Sequence, residues 1–326
     1  MAGSGRFEGD GELPPGFRIG SAGYTASGQR LAWSKRRSLL VSNRKAAHGS
    51  LMYEPYYGLR EKPFSILPDP DIIYWGQSHR LAFAMLEYGI MNNAGFTVIT
   101  GDIGCGKTTL LRHLLRSLDH QMTVGLITST PRGKIELLQW VMMALNQPFE
   151  ASYPALFKRF HQFLHEQYSA GSRTVLIVDE AQNLGWESLE ELRMLSNINA
   201  DKDQYLQMIL VGQPQLKDSL RSPQLMQFAQ RVSSDFHIKP LNPKEVNEYI
   251  DYRLKAVGSQ AQLFSEEACQ IIARASQGIP RTINILCDTA MVYGYATSAD
   301  SITGDLVKMV VENKSQYGVL PLVMPG

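Results

Sequence analysis

A glycine-rich stretch near residue 100 combines residue types that bind phosphate groups. It reads GDIGCGKTT, with glycine at 101, 104 and 106 directly before Lys107 and Thr108. The apolar run FTVIT precedes it and the leucine-rich run LLRHLLRSL follows it. Glycine at these positions lets backbone N–H groups turn inward around phosphate oxygens at the start of a helix, which is the P-loop (Walker A) pattern in its required context. A turn that merely tightens a strand-to-helix connection is the alternative, and it does not account for the Lys–Thr pair.

The side chains of this stretch predict ATP and Mg²⁺ as ligands. Lys107 is expected to neutralise the β- and γ-phosphates, and the Thr108 hydroxyl is expected to ligate Mg²⁺. Cys105 lies among polarised loop groups that could favour its thiolate and open it to alkylation, although an ordinary loop position is the preferred interpretation. The predicted nucleotide-binding set of this loop is Gly101, Asp102, Ile103, Gly104, Cys105, Gly106, Lys107, Thr108 and Thr109.

Two carboxylates stand at the end of a second apolar run, TVLIVDE, as Asp179 and Glu180. Acids at the end of a buried strand cost free energy unless a cation or a polar group meets them. Ligands of parallel α/β sheets lie at the carboxyl ends of the strands, so both acids are expected to face the phosphates. We predict that Asp179 meets Mg²⁺, directly or through water, and that Glu180 orients the water that attacks the γ-phosphate. Two acids that only cap the next helix are the alternative.

Three further polar residues stand where they could sense a phosphate. Gln213 ends the run LQMILVG and could hold the same water, although Gly-Gln-Pro also makes an ordinary turn. Arg281 opens a helix after Pro280, where a cation opposes the helix dipole, so we expect it to serve an anion such as phosphate. Arg231 suits the C-terminal end of its helix, and a purely local dipole role is the alternative for it.

The pattern of the surrounding elements is α/β. Apolar runs alternate with helical patterns up to Asn242, which predicts a parallel sheet covered on both faces, and at least three helices follow. Ser78 is the predicted N-cap of the helix that precedes the first strand. The predicted regions are a flexible basic extension (1–51), a nucleotide-binding α/β domain (52–242), a helical lid domain (243–312) and a C-terminal tail (313–326).

Composition and charge restrict the classes of protein to which this chain can belong. The chain has 326 residues, of which 44% are hydrophobic and 19% charged, enough for a sizeable core. Residues 1–51 hold eight Lys/Arg and three acids, a net charge of +5. Because the whole chain has a net charge of +1, residues 52–326 have a net charge of −4, which disfavours nucleic-acid binding by that part. The three cysteines are scattered along the chain, which suits a reducing compartment. We find neither a secretion signal nor an apolar run of about 18 residues that could span a membrane. We therefore predict a cytoplasmic location.

Taken together, these motifs resemble the AAA+ ATPases, and more specifically the general secretion pathway protein A (ExeA-like) family. The resemblance covers residues 52 to about 312 and rests on YYGLREKPFSILPDPD, GFTVITGDIGCGKTTLLRHLL, DEAQNL, LEELRMLSNI and ILVGQPQL. It implies a P-loop NTPase of the AAA+ type, with a parallel five-stranded sheet, helices on both faces and a small all-helical lid domain. It further implies that Gln213 is sensor 1, that Arg231 is the arginine finger of a neighbour's site, and that Arg281 is sensor 2.

The resemblance also implies partners. It suggests that Ile72 and Tyr74 contact the base, and that the chain forms a homo-oligomer, as a ring or a filament, with a protein partner at the inner membrane. The implied role is secretion or cell-envelope and exopolysaccharide assembly, peripheral to that membrane. A DNA-binding transposition-helper or partition-type ATPase is the alternative, supported by the basic stretch SKRR…NRK. Secretion members of the family continue into a transmembrane helix and a peptidoglycan-binding domain, and we predict neither in this chain.

Overall fold

The computed structural model describes residues 52–67, 72–118, 122–128, 134–148, 152–199 and 204–319, and residue 322. All of them belong to one compact unit, Ser50–Gly326. The predicted basic extension, 1–51, lies outside the described residues.

Within this part of the chain, five parallel strands form one sheet in the order β2-β3-β4-β1-β5. The strands are β1 (Phe96–Gly101), β2 (Met122–Ile127), β3 (Arg173–Val178), β4 (Leu206–Gly212) and β5 (Val232–Ile238). Every residue of β1 and β4 is buried, whereas the edge strands β2 and β5 are partly exposed. A parallel sheet covered on both faces requires such continuous apolar strands, so the predicted sheet is confirmed.

Helices cover both faces of the sheet. They are α1 (Gln77–Met91), α2 (Lys107–Ser117), α3 (Lys134–Ala144), α4 (Tyr153–Ser169), α5 (Trp186–Leu195), α6 (Pro214–Leu220) and α7 (Met226–Ala229). Neighbouring residues of β3 belong to different cores: Leu176 and Val178 pack with α3, α4 and α5, while Val175 and Ile177 pack with α1 and α2. Because side chains alternate along a strand, this division shows that both faces of the sheet are buried.

In the described residues after the last strand there are four helices: α8 (Pro243–Ala256), α9 (Glu266–Ser276), α10 (Pro280–Ala296) and α11 (Gly304–Tyr317). They enclose a hydrophobic core of their own, which also contains Tyr53, Tyr57, Leu59 and Phe64. The Tyr53 hydroxyl donates to Oδ1 of Asp288 at 2.6 Å, which ties this early segment to α10. The division into 52–242 and 243–312 stays a prediction, and this packing places residues 53–64 with the helical part.

Local details differ from the predicted elements. Helix α1 begins at Gln77 with Gly76 as N-cap, so the predicted cap at Ser78 is wrong; the Ser78 hydroxyl instead accepts a hydrogen bond from the Lys239 backbone N–H at 2.8 Å. The turn predicted at Gly-Gln-Pro is followed by helix α6. Helix α11 continues past residue 312 to Tyr317. None of the described helices is long and apolar enough to cross a membrane.

Candidate functional site

The glycine-rich stretch forms a tight loop between β1 and α2. Gly104 and Gly106 have φ angles of 84° and 89°, a left-handed conformation that glycine adopts without strain. A Cβ atom at Gly104 would lie 2.7 Å from Cβ of Arg281, so this position has no room for a side chain. Gly106 is the N-cap of α2, and the loop therefore presents backbone N–H groups at a helix N-terminus, where anions bind.

Lys107 lies folded over this loop. Its ammonium donates to the carbonyl oxygens of Gly101 at 2.8 Å and Asp102 at 3.0 Å, and the residue is only 7% exposed. Burial lowers the pKa of Lys107, because the charged form loses hydration. A buried cation at a helix N-terminus favours the binding of an anion between the loop and its side chain.

The start of α2 meets the end of β3. The Thr108 hydroxyl donates to Oδ2 of Asp179 at 3.2 Å, and the Glu180 backbone N–H donates to Oδ1 at 2.9 Å. Asp179 is buried, and burial raises the pKa of its carboxyl group. A hydroxyl and a carboxylate oxygen this close, beside a phosphate-binding loop, form the kind of oxygen pair that Mg²⁺ uses together with substrate phosphates. These residues therefore fit the predicted metal.

Glu180 has an unusual backbone. Its φ angle of 54° is left-handed, which is uncommon for a residue with a side chain and is often found at functional sites. Oε2 of Glu180 accepts hydrogen bonds from the side-chain amide of Gln213 at 3.3 Å and from that of Gln182 at 2.6 Å. The polar ends of β3 and β4 are thus joined at the carboxylate, and the predicted role of Gln213 toward the attacking water stays a prediction. Gln182 was not among the predicted site residues.

The structure separates the two predicted arginines. The Arg281 backbone N–H donates to the carbonyl oxygen of Gly104 at 3.2 Å, and its exposed side chain borders the cleft above the loop. Arg231 lies elsewhere: its guanidinium donates to the Ser196 hydroxyl and to the side-chain oxygen of Asn197, at the C-terminal end of α5. The local contact of Arg231 is thus with the end of α5, whereas the sequence predicted it at the end of its own helix, here α7; the role toward a second subunit stays a prediction.

One cleft joins the loop to the helical part of the chain. Lys107, Thr108, Glu180, Gln213 and Arg281 line its loop end, together with Ile103, Gly104, Gly106 and Thr109. Its other end is lined by Ile72, Tyr74, Leu241, Tyr249, Arg253 and Asn284, among others. This places the two side chains suggested for base contact in the same cleft as the phosphate-binding loop.

The structure disfavours a reactive thiol at Cys105, which the sequence left open as the alternative to an ordinary loop position. Its side chain is fully buried, and burial raises the pKa of the thiol to about 11. An apolar environment disfavours the thiolate more than the loop dipoles favour it. Cys105 is a small core residue that packs with Leu110 and Leu111 of α2.

His79 is a site residue that the sequence did not indicate. Its Nε2 lies 2.8 Å from the Cys105 carbonyl oxygen, and since a carbonyl only accepts, Nε2 carries the proton. His79 is 7% exposed and lines the cleft, and burial lowers its pKa. Nδ1 has no partner within the described residues. A single histidine near the start of an amphipathic helix carries no sequence signal of this contact.

The described residues contain no second candidate metal site built from protein side chains. Among the described residues, no group of three or more His, Cys, Asp or Glu side chains is placed to hold a metal ion. Mg²⁺ bound through substrate phosphates and one or two protein oxygens needs no such cluster. Thr108 and Asp179 therefore remain the candidates for this ion.

Comparisons with known proteins identify the family and the fold of the chain. A family model described as an AAA domain matches residues 90–220. General secretion pathway protein A of Aeromonas hydrophila is 38% identical over 258 residues, which cover 78% of this chain and 47% of that protein. The chain thus spans about half the length of this curated relative.

Solved structures share the fold at low identity. Cdc6p of Pyrobaculum aerophilum aligns with a TM-score of 0.58 at 16% identity, over 73% of this chain and 68% of that one. The Aeropyrum pernix ORC1 protein, solved in complex with DNA, aligns with a TM-score of 0.56 at 12% identity, over 78% and 70% of the two chains. At such identities the likeness concerns the fold alone.

Proposed function

The chain is an AAA+ protein related to general secretion pathway protein A, and on this premise we propose that it binds and hydrolyses ATP with Mg²⁺ in the cleft described above. The observation that carries the proposal is the pair formed by the Thr108 hydroxyl and Asp179, 3.2 Å apart, with Glu180 beside it. The buried Lys107 ammonium lies in the same cleft. These are the parts that phosphoryl transfer to water needs.

Catalysis in this proposal consists mainly of positioning and charge stabilisation. The loop N–H groups and Lys107 hold the phosphates and balance their negative charge. Glu180 orients the attacking water and accepts its proton, while Gln213 supports the same carboxylate from the end of β4. Bound Mg²⁺, held by Thr108 and Asp179, would neutralise the charge on the β- and γ-phosphate oxygens.

We further propose that nucleotide state changes the arrangement of domains and subunits. Arg281 starts α10 of the helical lid and contacts the phosphate-binding loop through its backbone, so it can transmit the presence of a γ-phosphate to the lid. Arg231 is proposed to serve the site of a neighbouring copy in a ring or a filament. The lid in this proposal is the predicted helical domain, residues 243–312.

The proposed role is ATP-driven assembly or secretion at the cell envelope, with a protein partner at the inner membrane. Its support is the 38% identity to general secretion pathway protein A over most of this chain. A salt titration of duplex-DNA binding, with and without residues 1–51, tests the DNA-binding alternative. Affinity that falls steeply with salt and depends on residues 1–51 would favour that alternative, because phosphate contacts release counterions.

ATP turnover of the Glu180→Gln variant tests the proposed activity. The variant should bind ATP with unchanged affinity and lose at least about 10²-fold in kcat, the usual contribution of a general base. Glu187→Gln is the matched control, since Glu187 is exposed at the start of α5. Absence of Mg²⁺-dependent ATP hydrolysis by the wild-type chain would contradict the proposal, as would equal kcat values for wild type and Glu180→Gln.

A further inference from the structure

The side chain of Gln182 connects the ends of two strands. Its Nε2 donates to Oε2 of Glu180 at 2.6 Å, and its Oε1 accepts the backbone N–H of Gln213 at 2.9 Å. Gln182 lies two residues after Glu180 in the short 3₁₀ turn Ala181–Asn183 that follows β3. Both polar ends of one amide are therefore used, one on each side of the gap between β3 and β4.

The surroundings of this amide leave it little freedom. A Cβ atom at Gly212 would lie 3.0 Å from Oε1 of Gln182 and 2.9 Å from Leu216, so glycine at the end of β4 makes room for the bridge. Gln182 itself is partly buried. An amide held at both ends in a confined space has one orientation, with its N–H group directed at Glu180.

The bridge also decides which oxygen of Glu180 is free. Oε2 accepts from Gln182 at 2.6 Å and from Gln213 at 3.3 Å, whereas Oε1 has no hydrogen-bond partner among the described residues. Glu180 lines the cleft, and its left-handed backbone is a conformation that needs support from neighbouring contacts. Fixing Oε2 leaves Oε1 as the oxygen available to a water molecule.

We propose that Gln182 is a positioning residue for Glu180: it holds Oε2 so that Oε1 is presented to the attacking water. This inference rests on the proposed ATP hydrolysis and adds a residue to it. Gln213 supports the same oxygen by the longer contact, so Gln182 supplies the larger part of the orientation. Gln182 touches neither nucleotide nor metal in this account, and its effect on turnover passes through Glu180.

Two substitutions separate positioning from general stability. Gln182→Glu keeps the side-chain length and the oxygen that accepts from Gln213, and it removes the donor to Glu180. Gln182→Met removes both hydrogen bonds at similar volume. We expect each to lower kcat at least about tenfold, while KM and the ATP dissociation constant stay within about twofold, since the interaction acts in the transition state.

The control is Gln215→Met, which makes the same replacement at an exposed position of α6 and should leave kcat unchanged. In a Glu180→Gln background, Gln182→Met should cause no further loss of residual turnover, because residues that act as a unit are not additive. Additive losses, or a Gln182→Glu variant with wild-type kcat, would overturn the inference and leave the proposed function intact. A wild-type chain that does not hydrolyse ATP would overturn both.

Discussion

Nε2 of His79 donates a hydrogen bond to the carbonyl oxygen of Cys105 at 2.8 Å, which joins the first helix to the phosphate-binding loop. The contact is buried and holds one peptide of the loop between Gly104 and Gly106, the two glycines with left-handed backbones. Glycine takes these conformations without strain but is conformationally free, so contacts such as this one help to fix the shape of the loop.

The His79 contact predicts a specific dependence of stability on pH. Burial lowers the pKa of His79 in the folded chain, so below pH 6.5 the unfolded chain binds a proton that the folded chain does not. Stability contributed by the neutral ring is therefore lost as pH falls from 6.5 towards the lowered pKa. His79→Gln retains a donor but does not titrate, and its melting temperature should fall less between pH 7 and pH 5 than that of the wild type.

Thermal melts across this pH range measure the difference. His161→Gln is the control, since His161 is exposed on α4 and its replacement should leave the wild-type pH dependence in place. Parallel curves for the wild type and His79→Gln would show that the His79 ring does not govern this part of the pH profile.

Gly104→Ala should impair nucleotide binding beyond its effect on stability. Alanine at a φ angle of 84° costs about 1–2 kcal/mol in backbone strain. Its Cβ would also lie 2.7 Å from Cβ of Arg281, so the loop and α10 must move apart. Gly171→Ala is a matched control, with a φ angle of 77° and no heavy atom within 4 Å of the new Cβ. Both variants should lose the stability that backbone strain costs, Gly104→Ala should lose more because of the contact with Arg281, and only Gly104→Ala should lose ATP affinity. Equal affinities would refute the steric argument.

Cys105 should resist alkylation in the folded chain. With burial and a pKa of about 11, its thiolate fraction at pH 8 is about 10²-fold below that of a thiol with the ordinary value of 9. Mass spectrometry after timed iodoacetamide treatment of native and denatured protein measures the ratio of the two alkylation rates at each cysteine. A native rate at Cys105 close to its denatured rate would contradict this prediction and favour the reactive-thiol alternative.

Arg231→Ala and Arg281→Ala should separate into two phenotypes. Arg281 lines the cleft, so its loss should weaken ATP binding measured on dilute protein. Arg231 caps the end of α5 through Ser196 and Asn197, so its loss should leave that affinity within about twofold and cost about 1 kcal/mol of stability.

Under the proposed arginine-finger role, Arg231→Ala should also remove the rise of specific ATPase activity with protein concentration. The same rise in the wild type and in Arg231→Ala would leave only the local capping role. Mixing Arg231→Ala with Glu180→Gln distinguishes these cases further. Under the arginine-finger role, a site shared by the two variants can combine the intact Glu180 of one copy with the intact Arg231 of the other.

Much of the fold followed from the sequence, since the strands are continuous apolar runs and the P-loop marks where the first strand ends. The sheet and the positions of Lys107, Thr108 and Gln213 in one cleft agree with the predicted pattern. The start of α1 was missed because Ser78 is a better cap by residue type than Gly76. The Ser78 hydroxyl is used instead in a tertiary contact with Lys239, the residue after β5.

The parts of the site that the sequence did not predict depend on contacts between distant segments. His79 reaches the loop only because α1 packs beside α2, and Gln182 meets Gln213 only because β3 and β4 are adjacent. Neither residue is marked in the sequence by its neighbours or by its spacing to other polar residues. The loop sequence left a reactive thiol open at Cys105, and the burial that disfavours it is a property of the packed structure rather than of the loop sequence.

The most direct test of the central claim is calorimetric titration of the purified chain with ATP in the presence and absence of Mg²⁺, alongside the Lys107→Ala variant. The account predicts saturable binding of one ATP per chain, tightened by Mg²⁺ and lost or greatly weakened in Lys107→Ala, because the loop then lacks its buried cation. No binding by the wild type with Mg²⁺ present, or equal affinity in Lys107→Ala, would contradict it.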